Sequence, residues 1–219
     1  MRLILASTSP RRHELLALLT LPFEIVTPTY VERVSPHLSS ADQARLFAEG
    51  KARSCEDLFA DSLIIGCDTL IELDSNVLGK PMDRADAARM LHRLNGQKHL
   101  IHTGVAVLCT STGTLHSAVE SVQVWFKLLT PSEVDTYVTT GESLGKAGAY
   151  AIQGGGADLI ERIEGDYTAA VGLPLKTLAQ LFGRFGMIVP VDLNGLYQQK
   201  SYPNWSRFTS ASPAEGRLQ

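Results

Sequence analysis

Leu3-Ile4-Leu5-Ala6-Ser7-Thr8-Ser9-Pro10-Arg11-Arg12 places hydroxyls and two cations where an apolar run turns into a helix. Four successive apolar residues read as a short strand covered on both faces. Ser7, Thr8 and Ser9 break that run, and Pro10 suits the first position of a helix with Ser9 as its N-cap. The helix then continues over Arg11 to Leu19. A helix N-terminus presents unpaired N–H groups and the positive end of a dipole, so it attracts anions. Two arginines in the first turn oppose that dipole unless an anion neutralises them. Arg12 also shares a helical face with Leu15, Leu16 and Leu19, which turns one guanidinium toward the interior. Two readings remain open here: a capped helix with two solvated arginines, or a phosphate cradle.

Further along, Phe23 to Val26 reads as a second strand, and Thr27 to Ser39 as a proline-containing loop that carries Glu32. Ser39 or Ser40 caps a second helix running to about Phe59. Its stripe is Ala41, Ala44, Ala48, Ala52, Cys55 and Phe59. Lys51 lies on the same stripe, where it either snorkels to the rim or reaches an anion. Leu63 to Leu73 is a buried strand interrupted by Gly66 and then by Asp68. A carboxylate in such a strand is costly unless it is paired, protonated or metal-bound. The hairpin at Asp74-Ser75-Asn76 brings Lys80 back beside that strand, so an Asp68–Lys80 ion pair would explain both residues.

A third helix spans about Asp83 to Asn95 and stops at Gly96. His99 to Cys109 and Leu115 to Leu128 form an antiparallel hairpin through the turn at 110–113, and Pro131 opens a fourth helix over Ser132 to Thr139. Gly145 to Gly156 is too glycine-dense for a regular helix and lets backbone approach a strand or a ligand. Ala157 to Glu164 and Tyr167 to Val171 read as short strands, and Leu173 to Phe185 as the last helix. From Pro190 the chain is polar and aromatic (Tyr197, Tyr202, Trp205) without periodicity. The expected organisation is one α/β domain over 1–189 and a mostly irregular extension over 190–219, with aromatics available to dock on the body.

Bulk properties exclude several classes. Of 219 residues, 44% are apolar and 20% charged, which is ordinary for a globular protein. A net charge of −3 argues against a general nucleic-acid binder. Three widely spaced cysteines, with no Cys-x-x-Cys pair, fit reduced thiols rather than a disulfide scaffold or a zinc site. No signal-peptide pattern and no run of 18 apolar residues is present, so a cytoplasmic location away from membranes is expected.

The residues left unexplained by packing are Ser7, Ser9, Arg11, Arg12, Glu32, Lys51, Asp68, Lys80 and Gln153, with Lys146 as an addition. Cations, two carboxylates and small hydroxyls suit a polyanionic substrate together with a hard divalent cation. Mg²⁺ takes one or two carboxylates and completes its shell with water and phosphate oxygens.

The Ser7-x-Ser9-Pro10-Arg11-Arg12 start, Asp68-Thr69, Gly79-Lys80-Pro81, His102-Thr103-Gly104-Val105 and Ala147-Gly148-Ala149-Tyr150-Ala151-Ile152-Gln153-Gly154 occur in that order. Gly165-Asp166-Tyr167 and Val171-Gly172-Leu173-Pro174-Leu175 follow. Together, over about Met1 to Gly186, they resemble the Maf (septum-formation-inhibitor-like) family of nucleoside triphosphate pyrophosphatases. The resemblance implies a two-lobed α/β fold, akin to inosine triphosphate pyrophosphatases, with a twisted mixed sheet and a central cleft. It implies house-cleaning hydrolysis of a nucleoside triphosphate to the monophosphate and pyrophosphate. Asp68 matches the family's proton acceptor, and Ser7, Arg11, Arg12, Lys51 and Lys80 match its phosphate-binding positions, with Ser9 beside them. Glu32 matches an acid that helps with metal or water, although Val31 replaces the usual preceding aspartate.

Arg11, Thr69 and Gln153 match the family's specificity positions and are similar to the branch acting on dTTP and UTP, including modified pyrimidine triphosphates. The expected catalytic set is Asp68, Lys80 and Glu32, with Asp68 and Glu32 holding the metal (Mg²⁺, with Mn²⁺ or Co²⁺ as substitutes). The expected partner is a small-molecule nucleoside triphosphate, and a homodimer is compatible with the family. The rival function is a non-catalytic nucleotide-binding regulator of cell division.

Overall fold

In the computed structural model, which describes residues 1–208, strand β1 (Arg2–Ala6) lies between β2 (Glu24–Val26) and β3 (Ser62–Leu73), parallel to both. The short β4 (Asn76–Leu78) folds back on the end of β3 through the hairpin expected at Asp74 and Ser75. Strands β5 (Lys98–Cys109), β6 (Thr114–Phe126) and β7 (Ile160–Glu164) add antiparallel neighbours, giving the order β2-β1-β3-β5-β6-β7 with β4 beside β3. The sheet is therefore mixed, as the family resemblance implied. Leu3, Ile4, Leu5 and Ala6 are all buried, as a strand covered on both faces requires.

One face carries α1 (Pro10–Ala17) and a broad core continued by α3 (Arg84–Leu94), α4 (Pro131–Thr139), α5 (Tyr167–Val171) and α6 (Leu175–Gly183). The other face carries α2 (Ser40–Arg53), which packs Ala44, Ala48 and Ala52 onto β3 and β5. Glycines make that seam possible. A Cβ on Gly66 would lie 2.0 Å from Ala48 O, and one on Gly104 2.2 Å from Ala44 O. The break that Gly66 makes in an apolar strand is thus the bed for a helix backbone. It also draws Lys51 of α2 down to the level of β3.

Several sequence expectations are corrected. Tyr167 to Val171 is helix α5 rather than a strand. Asp166 accepts the Thr168 N–H at 2.8 Å and Gly172 closes the turn at φ 126°, so capping overrides the β-branched Thr168 and Val171. Helix α2 stops at Arg53 and a 3₁₀ turn over Glu56–Leu58 follows, while Cys55 remains buried on the stripe without the helix continuing to Phe59. Residues Gly155–Leu159 form a 3₁₀ turn, so the strand expected from Ala157 begins only at Ile160.

The stretch beyond Pro190 is more ordered than its composition suggested. Asp192 caps α7 (Leu193–Gln199), a 3₁₀ turn spans Trp205–Arg207, and Tyr202, Trp205 and Phe208 are buried in the main core. The rest of that extension, 209–219, lies outside the described residues. Among the described residues no helix is long and apolar enough to cross a membrane.

Candidate active site

The end of β1 delivers Ser7 to the start of α1, where it organises the turn. Ser7 Oγ accepts the Ser9 N–H at 3.1 Å, and Ser7 O meets His13 Nε2 at 2.8 Å. Ser9 occupies the N-cap position in backbone terms, but its side chain makes no capping bond, contrary to the sequence expectation. The N–H groups of the first turn thus keep no side-chain acceptor from Ser9. Arg12 leans inward as its leucine-bearing face required. Its Nε donates to Gly172 O at 2.9 Å and its Nη2 to Thr69 Oγ1 at 3.2 Å. Thr69 Oγ1 in turn lies 3.0 Å from Thr103 Oγ1, which donates to Ala169 O of α5 at 2.8 Å. Arg12 is therefore held by Thr69 of β3 and by Gly172 at the end of α5.

Arg11 has no such anchor. Burial, and the neighbouring Arg12 charge, depress the pKa of its guanidinium, and its buried Nε has no hydrogen-bond partner. Two adjacent guanidinium groups at a helix N-terminus form an electropositive mouth suited to an anion.

Across the sheet, Lys51 Nζ sits between two carboxylates, pairing with Asp68 Oδ1 and, at 2.7 Å, with Glu32 Oε1. The Asp68–Lys80 ion pair expected from sequence is replaced by Asp68–Lys51, because α2 rides low on the Gly66 seam while Lys80 remains exposed at the rim. Burial pushes the Asp68 carboxyl above the usual aspartate range, against the opposing pull of Lys51 and Arg12. Glu32 behaves oppositely: burial disfavours its charge, but hydrogen bonding and charge from Lys51, with Lys80, outweigh it and hold its pKa low. Asp68 Oδ2 is buried and has no partner.

The opposite wall is the glycine-rich segment. Gly148 N donates to Gly79 O at 3.0 Å, tying that segment to the chain beside Lys80, and Gly148 and Ala149 both adopt left-handed conformations. Tyr137 OH accepts the Ala151 N–H at 3.1 Å, and Glu142 Oε2 accepts the Gly155 N–H at 2.9 Å. Gln153 lies between these anchors. Its Oε1, like Glu142 Oε1, is buried without a partner.

All ten residues expected from the sequence (Ser7, Ser9, Arg11, Arg12, Glu32, Lys51, Asp68, Thr69, Lys80 and Gln153) line one cavity of about 950 Å³. Lys146 and Glu142 line it too. Buried polar atoms without partners gather at this cavity, on Arg11, Asp68, Glu142 and Gln153, and such atoms are costly unless a ligand satisfies them. Among the described residues no cluster of three or more His, Cys, Asp or Glu groups forms an all-protein metal cage. The donor set fits a hard divalent cation instead: Asp68, with one unpartnered oxygen, and Glu32 share a site that Lys51 now bridges, and phosphate oxygens and water would complete the shell.

Sequence reasoning missed Glu142 and Thr103 as individual contributors. Neither carries a spacing signal, since each acts through a backbone or hydroxyl contact made only on folding.

The dTTP/UTP pyrophosphatase of Moorella thermoacetica is 47% identical over 86% of this chain and 97% of its own length. The dTTP/UTP pyrophosphatase of Pelotomaculum thermopropionicum is 45% identical over 84% and 96%, respectively. The Vibrio cholerae protein of the same name is 44% identical over 84% and 98%. Residues 2–185 match the family described as Maf-like protein, and the chain belongs to that family.

Proposed function

We propose that this chain hydrolyses the α–β phosphoanhydride of dTTP and UTP, releasing the nucleoside monophosphate and pyrophosphate. One observation carries the reading: Asp68, a buried carboxylate with an unpartnered oxygen, lines the same cavity as Arg11, Arg12, Lys51 and Lys80. The names and full-length similarity of the Moorella, Pelotomaculum and Vibrio relatives support the substrate class. Three buried free cysteines support a reducing, cytoplasmic setting.

In this reading the triphosphate lies along the cationic mouth. The N–H groups at the start of α1, the Ser7 hydroxyl and the two guanidinium groups hold its oxygens, with Arg12 pre-set by Gly172 and Thr69. Asp68 and Glu32 would hold a divalent cation of the Mg²⁺ kind, which when bound neutralises phosphate charge and polarises the reacting phosphorus. Asp68 Oδ2 accepts the proton of the attacking water as its oxygen bonds to the α-phosphorus and the bond to the bridging oxygen breaks. Burial makes Asp68 a stronger base than an exposed aspartate, and the Lys51 ammonium keeps it ionised. Lys80 and Arg11 meet the charge that gathers on the departing pyrophosphate. Gln153 offers Oε1 as an acceptor for N3–H and its amide N–H as a donor for O4 of a uracil or thymine ring.

A pyrophosphate-release assay across the common nucleoside triphosphates tests this directly. UTP and dTTP should be the preferred substrates. Tight nucleotide binding without release would instead favour a non-catalytic regulator, and a tenfold preference for a purine triphosphate would overturn the base assignment.

A further inference from the structure

The segment Tyr202–Asn204, beyond the family match that ends at residue 185, bonds residues that line the cavity (Glu14, Ile152 and Gly154) without lining it itself. Asn204 Nδ2 donates to Gly154 O at 2.9 Å and to Ile152 O at 3.2 Å. These carbonyls belong to the residues on either side of Gln153, so one carboxamide nitrogen donates to both neighbours of the base-reading residue. Tyr202 OH donates to Glu14 Oε2 at 2.6 Å, on the helix that carries Arg11 and Arg12. Pro203 O accepts from Tyr167 OH at 2.5 Å, at the start of α5. Three consecutive residues thus touch the base-reading loop, α1 and α5.

Asn204 is itself firmly seated. It lies between Tyr202 and Trp205, both buried, and Trp205 stacks on Tyr167 with ring centroids 5.7 Å apart. Its own backbone is left-handed at φ 61°, a conformation asparagine adopts more readily than most residues. The loop it holds is the opposite kind of structure: Gly154, Gly155 and Gly156 follow Gln153, and such a run has high conformational freedom unless external bonds fix it. Glu142 and Tyr137 bond N–H groups of this loop, at Gly155 and Ala151, and Asn204 bonds its carbonyls.

We infer that Asn204 is a positioning residue for base selection: it fixes the Gln153 loop so that the carboxamide of Gln153 meets the pyrimidine edge, making the C-terminal segment a strap on the specificity end of the site. This rests on the pyrimidine-triphosphate reading above and extends it to residues outside the family match.

Two variants test it in the full-length protein. Asn204→Gly keeps the left-handed backbone and removes both donors. Asn204→Asp keeps the shape and faces both carbonyls with acceptors. Losing two hydrogen bonds predicts a rise of about tenfold in KM for UTP, a smaller change in kcat, and a loss of about tenfold in preference for UTP over GTP. Asn204→Asp should be the more severe. Amide hydrogen exchange at Gln153–Gly156 should quicken in both variants while exchange in β3 and β5 is unchanged.

Unchanged KM, preference and loop exchange would overturn the inference. So would equal losses for UTP and GTP accompanied by a lower Tm, since a merely structural prop changes the folded fraction and not the choice of base. The exchange measurement needs no substrate. A wild-type protein that releases no pyrophosphate would therefore refute the enzymatic reading, while the loop result would still decide whether Asn204 holds Gln153.

Discussion

The two ends of the cavity are built on opposite plans. At the phosphate end, Ser7, Arg12, Lys51 and Asp68 stand on or directly beside β1, α1, α2 and β3, and their places are set by the sheet and by the Gly66 seam. At the base end, Gln153 stands on a glycine-rich loop held by side chains from α4, from the turn after it, and from Asn204. In the proposed reaction, chemistry that tolerates little misplacement is mounted on regular elements, whereas the choice of base falls to a loop that few contacts define. Disturbing the first end should abolish turnover or unfold the protein, and disturbing the second should change what is turned over.

Asp68→Asn is the sharpest challenge to the first half of that contrast. Removing the proton acceptor should lower kcat by about 10³-fold with nucleotide binding retained. Steady-state kinetics together with calorimetric binding would show this, and a variant keeping half of wild-type kcat would reassign the role of Asp68.

Next in size is Gly66→Val, which puts a side chain where Ala48 O lies 2.0 Å from the Cβ position. It should destabilise the fold by about 1–3 kcal/mol or more, with Tm falling several degrees and the Lys51–Asp68 pair pulled apart. Thermal unfolding monitored by circular dichroism checks this, and an unchanged Tm would mean that the helix seam is not what sets Lys51.

Lys80→Ala probes the rim between the two ends. KM should rise and kcat fall together, with kcat/KM down about ten- to hundredfold, because this lysine meets charge in both ground and transition states. A change confined to KM would make Lys80 a binding residue alone. Gln153→Ala, in contrast, should lower the UTP-to-GTP ratio of kcat/KM about tenfold while leaving GTP turnover nearly as it was.

The smallest effect concerns acid. His99 is buried against Tyr150, with Nε2 2.7 Å from the phenol oxygen, and burial depresses its pKa from 6.5 to about 3. A depressed histidine contributes stability that is complete above pH 6.5 and is lost as pH falls toward 3, on the order of 1 kcal/mol per pH unit. Because Tyr150 also lines the base end, acid should loosen that end first. Denaturant midpoints at pH 7 and pH 5 should differ more in wild type than in His99→Gln, and the same difference in both proteins would contradict the assignment.

The same contrast explains what could be read from the sequence. The β1–α1 turn, the alanine stripe of α2 and the acid at Asp68 in an apolar strand follow from periodicity, capping and the cost of buried charge. They mark Ser7, Arg12, Lys51 and Asp68 as residues that packing alone leaves unexplained. Hairpin proximity favours Lys80 as the partner of Asp68, whereas the approach of α2 that brings Lys51 instead depends on Gly66 and Gly104 meeting a helix backbone. Such a contact has no local signature in the chain.

The base end was legible only as a flexible, glycine-rich stretch containing Gln153. Its anchors, Glu142, Tyr137 and Asn204, lie 13 to 50 residues in sequence from the groups they bond, as Tyr137–Ala151, Glu142–Gly155 and Asn204–Gly154 show. The C-terminal segment lacked periodicity because its order comes from aromatic docking and from one short capped helix, neither of which leaves a regular stripe.

The most direct test of the two-ended cavity is a crystal structure with Mg²⁺ and a UTP analogue whose α–β bridge is an imido group. Triphosphate density against Arg11, Arg12 and Lys80, with the uracil edge on Gln153, is the expected result. Phosphates bound away from the Ser7–Arg12 turn, or a base turned away from Gln153 toward solvent, would contradict it.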